Sequence, residues 1–133
     1  MYGLPASYDP GFFIGLEVIS VCFTQTSIAL TFEPSSPGIH VGDLTLNLNK
    51  TIVTSEATII LEIPGSDREF IVPPAATGGL MKLLSDVVKT ATSQTNGTLA
   101  LIFASGASVQ FVDDRAPYFE SYTIQSPVGA IIV

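Results

Sequence analysis

Residues Ile28-Ala29-Leu30-Thr31-Phe32 place an apolar side chain at every second position, the period of a strand with one buried face. The same period returns at Leu44, Leu46 and Leu48, with Thr45, Asn47 and Asn49 facing the other way. Further segments rich in β-branched and aromatic residues run from Phe13 to Phe23, Glu56 to Ile63, Glu69 to Val72, Thr98 to Phe103 and Ser108 to Val112. A chain with this many short strand patterns must build sheets. Pro64-Gly65-Ser66-Asp67 and Ser105-Gly106-Ala107 sit between pairs of them and predict two hairpins. Tyr122 to Gln125 and Gly129 to Val133 predict a last short pair. The ending Ala130-Ile131-Ile132-Val133 has no charge, so it is expected to be buried or to lie in an interface.

One stretch departs from that period. Leu80, Leu83, Leu84, Val87, Val88 and Ala91 fall at helical offsets, with Lys82, Ser85, Asp86 and Lys89 on the opposite side and Thr77 placed to cap. The spacing predicts a single amphipathic helix over 77–91. The fold expected is therefore α+β: a mostly antiparallel β-sheet, in one or two sheets, with that helix packed on a face. A closed β-barrel with one helix is the alternative. The length of 133 residues fits a single domain over 1–133, with 1–11 an irregular N-terminal arm interrupted by Pro5 and Pro10. Ser27 to Phe32, followed by Gly38 and Val41, echoes Thr98 to Phe103, followed by Gly106 and Val109. That echo suggests two related sheet units.

Composition narrows the partners. Five basic residues against twelve acidic ones give a net charge of -7, a field that repels phosphate, so neither nucleic acid nor an anionic membrane is an expected partner. Hydrophobic residues reach 47% while charged ones reach only 13%, against roughly 25% charged in ordinary soluble domains. The apolar surplus points to a partner interface, either with another protein or by self-association as a homodimer. Cys22, the single cysteine, forms no internal disulfide and is expected as a buried structural residue between Val21 and Phe23. The start of the chain lacks the pattern of a secretory signal, so a cytoplasmic location is expected.

Groups suited to catalysis are few. His40 is the only histidine, and no orienting partner for it is legible in the sequence. Gly78-Gly79 lacks the residues of a phosphate loop, so the start of a helix explains it. The densest polar stretch is Asp113-Asp114-Arg115, continuing through Tyr118, Glu120 and Tyr122. Its spacing lacks the alternating ligands of a calcium loop, so no metal and no cofactor is assigned, and no catalytic residue. Acids beside tyrosines are the composition of a recognition surface for a basic partner, and these six residues form the candidate interaction site. The functional expectation is a non-enzymatic protein-interaction module. A structural, homo-oligomerising domain is the alternative, and a small-ligand carrier or enzyme built on Asp113, Asp114, Glu120 and His40 is a third.

Gly15-x-x-Val18-x-x-Val21-Cys22-Phe23, the strand Ile28-x-Leu30-x-Phe32, and the ending Tyr118-Phe119-Glu120-Ser121-Tyr122-Thr123-Ile124 with Ile131-Ile132-Val133 together carry a resemblance. The chain resembles an uncharacterised family of small bacterial cytosolic domains, some of whose neighbours look like immunity proteins of toxin systems. Phe119, standing between Tyr118 and Glu120, departs from that family's ending. The resemblance implies a bacterial cytosolic α+β domain with no established activity, and it transfers no catalytic residue.

Overall fold

The computed structural model describes residues 9–34, 50–72, 78–94, 97–113, 122–126 and 129–132. Among the described residues, ten strands form two five-stranded antiparallel sheets, and neither closes into a barrel. The first half of the chain supplies β1 (Leu16–Phe23), β2 (Ile28–Pro34), β3 (Thr51–Ser55), β4 (Ile59–Glu62) and β5 (Glu69–Ile71). The second supplies β6 (Val88–Ser93), β7 (Leu99–Phe103), β8 (Ser108–Phe111), β9 (Tyr122–Ser126) and β10 (Gly129–Ile132). One sheet runs β1-β2-β3-β9-β10 and the other β5-β4-β8-β7-β6. Each sheet thus takes three strands from one half and two from the other.

The alternating patterns do what a half-buried strand requires. Ile28, Leu30 and Phe32 of β2, Ile59 and Leu61 of β4, and Leu99, Leu101 and Phe103 of β7 all turn into one shared core between the sheets. Phe13 joins them from a short 3-10 turn at Pro10–Phe13, its ring edge-on to Phe32 with centroids 5.6 Å apart. At about 1.5 to 3 kcal/mol for each large buried side chain, this core is the main force holding the sheets face to face. The predicted hairpins are present as β4–β5, β7–β8 and β9–β10. Between β3 and β4 the chain changes sheet within three residues, and Ser55 braces the step: its Oγ donates to the Ala57 carbonyl (3.0 Å) and accepts from the Ala57 N–H (3.3 Å).

The described part of the helix expected over 77–91, residues 78–91, is not an α-helix. Gly78–Leu83 forms a 3-10 turn, Ser85 takes a positive φ of 70°, and the chain is extended from Val88 as edge strand β6. The apparent helical period has two sources. Leu80 and Leu83, three apart, both bury from a 3-10 turn, whose repeat is three residues. Val88 and Ala91 are also three apart because β6 bulges: Val88 pairs with Phe103 and Thr90 with Ile102, leaving Lys89 as an extra residue. A bulge adds one residue to the strand period of two, so the inward positions mimic a helix. Leu84, which a helix would have buried, is exposed, and Val87 is half-buried. The strand expected around Leu44 to Leu48 and residues 1–8 of the arm expected over 1–11 lie outside the described residues, while Pro10 and Gly11 of that arm belong to the 3-10 turn.

Candidate functional site

Of the six residues singled out in the acidic segment, Asp113 and Tyr122 are described; Asp114, Arg115, Tyr118 and Glu120 lie outside the described residues, as does His40. Tyr122 opens β9 opposite Ser55 of β3, and strand alternation sends its ring inward. It is 1% exposed, 6.0 Å from the Phe111 ring between centroids, and its hydroxyl donates to the Gly97 carbonyl. A partly buried Asp113 packs against the same glycine, whose φ is +92° and whose missing Cβ would stand 2.5 Å from Asp113 Oδ2. Asp113, Gly97 and Tyr122 therefore converge at the end of the sandwich where β8 leaves one sheet and β9 joins the other. Tyr122 works there as an internal anchor, its ring facing the core.

Cys22 is exposed, which corrects the expectation that it is buried. The reason is the strand phase: the bulge at Ile19 resets β1, after which Val21 and Phe23 pack on the core and Cys22, between them, points away. Apolar neighbours on both sides of a residue signal burial only if the strand is covered on both faces.

The structure also brings together groups that sequence reasoning missed. In the β1–β2 ladder Glu17 lies directly opposite Glu33, which is 8% exposed, and this is the one acid-to-acid pairing in any described ladder. Register is a tertiary property, so no local signal announces it. Asp86 is a second such group. Its Oδ1 accepts from the Val87 N–H (3.1 Å) and the Ser105 N–H (3.3 Å), and its Oδ2 accepts from Ser105 Oγ (2.5 Å). That clamp ties the start of β6 to the β7–β8 turn. Among the described residues no group of three or more His, Cys, Asp or Glu side chains is placed to hold a metal ion, and no helix is long and apolar enough to cross a membrane.

The two 3-10 turns carry another kind of feature. Phe12 lies in the first and Ile14 just after it, Met81 lies in the second and Leu84 just after it, and all four are exposed. Just beyond them Glu17 of β1 forms an isolated bridge with Val87, the residue before β6. Gly15 N–H donates to the Val88 carbonyl (2.9 Å), and Ser85 N–H donates to the Val18 carbonyl (2.8 Å). Ile14 and Leu84 each immediately precede one of these two donors, so both lie close to the bridge, where the edges of the two sheets meet. No family model, curated protein or solved structure matches this chain.

Proposed function

We propose that this domain is a non-enzymatic interaction module that binds a basic protein, in the manner of an immunity protein covering its target. The observation that carries the reading is the exposed apolar set Phe12, Ile14, Met81 and Leu84 around the Glu17–Val87 bridge, on a chain of net charge -7. An apolar centre that excludes water with charge around it is the anatomy of a protein interface. The acidic field speeds encounter with a basic surface and opposes encounter with another copy of the same acid-rich chain. Resemblance to small bacterial domains with immunity-like neighbours supports the same reading, as does the acidic segment containing Asp113, Asp114 and Glu120.

The test is capture from the cell that makes the protein, with a photo-crosslinker at the exposed Met81. The expected result is one basic protein, recovered at low salt, weakened at high salt, and lost from a chain carrying Ile14→Glu and Leu84→Glu. Recovery of no specific partner at low salt, or of one indifferent to both substitutions, overturns the reading.

A second reading has its own observation. β10 is the outer strand of its sheet, its far edge is paired by no described strand, and Gly129 to Ile132 carries no charge. Pairing of two such edges would make a homodimer. Light scattering separates the readings, since a monomer at high concentration removes the second and leaves the first.

A further inference from the structure

We infer that this chain is a fused dimer: the surface buried between its halves is the one a single five-strand unit would use against a second copy of itself. The halves share a strand path, and the match extends to individual residue pairs. In the first half Val18 pairs with Phe32, Ser20 with Thr31 and Phe23 with Ile28; in the second Val88 pairs with Phe103, Thr90 with Ile102 and Ser93 with Leu99. Both ladders skip one residue at the same place, Ile19 and Lys89. The next ladder repeats as well, Ile28 with Ser55 matching Leu99 with Phe111. Two unrelated sheets have no reason to bulge at equivalent residues.

The ladders between the halves are the decisive ones. Ser55 of β3 pairs with Tyr122 of β9, and its counterpart Phe111 of β8 pairs with Ile59 of β4. Ile52 with Gln125 becomes Ser108 with Glu62. The outer hairpins keep step too, Ile60 with Phe70 matching Thr123 with Ile132. Exchanging the two halves therefore returns the same set of pairings, which is the property of a two-fold, isologous interface. The bridge Glu17–Val87 is exchanged into itself, so it marks the axis. The bonds across it are reciprocal: Gly15 to Val88 and Ser85 to Val18. Gly15 and Ser85 are themselves counterparts, and both have positive φ. This places Ser85 in its unusual conformation for the same geometric reason that Gly15 is there.

Each unit gives its last two strands to the other unit's sheet, so neither half contains a complete five-stranded sheet of its own. The surface fits one partner, a second unit of the same design. The sequence echo reached part of this. Ser27 to Phe32 does match Thr98 to Phe103, but the counterpart of Val109 is Val53, and the Gly38 and Val41 of the echo lie outside the described residues.

Two-fold equivalence makes a demand on connectivity that can be tested with every residue retained. Nine residues separate Phe70 from Leu80; if Val133 were joined to Met1, ten would separate their counterparts Ile132 and Pro10. A circularly permuted chain, joined there without added residues and opened within 73–77, should fold with the same far-ultraviolet spectrum and melt in one transition close to the parent. A permuted chain that stays unfolded, or that folds only when a long Gly/Ser insert is placed at the joint, overturns the inference. As an independent measurement, the parent cut at a protease site engineered into 73–77 should elute as one complex and separate only in denaturant. Pieces that part without denaturant overturn it equally.

Discussion

Ser85 holds a left-handed backbone, φ 70°, that a side chain makes costly by about 1–2 kcal/mol. Its counterpart Gly15 holds φ 90° with nothing within 4 Å of where a Cβ would stand, so a side chain there would meet backbone strain and no crowding. Ser85→Gly should raise stability by about 0.5–1 kcal/mol, the relieved strain less the extra freedom glycine has in the unfolded chain. Gly15→Ser should lower it by about 1 kcal/mol. Urea midpoints with unchanged slopes would check both; a loss of stability in Ser85→Gly would count against the strain. Tyr122→Phe leaves the Gly97 carbonyl without this buried donor and should cost about 1–3 kcal/mol. A variant as stable as the parent would show that bond to be worthless.

At the scale of elements, the lesson lies in β1 and β6. Both are bulged edge strands, and the bulge is itself a defence against edge pairing because it twists the strand away from a flat neighbour. The same extra residue spaces Val88 and Ala91 like a helix face, so local pattern reading takes strand for helix at that point. Far-ultraviolet circular dichroism should show a sheet spectrum with no helical double minimum, and a clear helical signal would restore the helix over 77–91. Asp86 secures this region, since three donors meet its carboxylate where β6 starts. Asp86→Ala should cost about 1–3 kcal/mol, with the protected amides of β6 exchanging faster than those of β2 in hydrogen-exchange measurements.

For the whole molecule, exchange of strands between halves makes unfolding of one half the unfolding of both. Leu30 and Leu101 are counterparts, each fully buried in the common core. Leu30→Ala and Leu101→Ala should each cost about 2–5 kcal/mol. Each should also shift one cooperative transition that two optical probes report at the same denaturant concentration. A biphasic curve in either variant would mean that the halves are separable folding units. The net charge of -7 acts at this scale as well: it repels like-charged copies at low salt and, on the proposed function, favours encounter with a basic partner.

Alternation in β2, β4 and β7 and the turn residues between hairpins are local properties, so the strands, the hairpins and the inward-facing Ile28, Leu30, Phe32, Leu99 and Leu101 could be read from the chain alone. Of the acidic candidate segment, composition disclosed the charge but not that Tyr122 turns inward to Gly97. What the chain alone did not disclose depends on residues far apart in sequence: the register that sets Glu17 against Glu33, the bulges at Ile19 and Lys89, and the outward turn of Cys22. The exchange of β4–β5 and β9–β10 between sheets belongs to the same class. A strand carries its period in its own side chains, but its neighbour is chosen by burying two apolar faces at once, and that choice exists only when both halves are present.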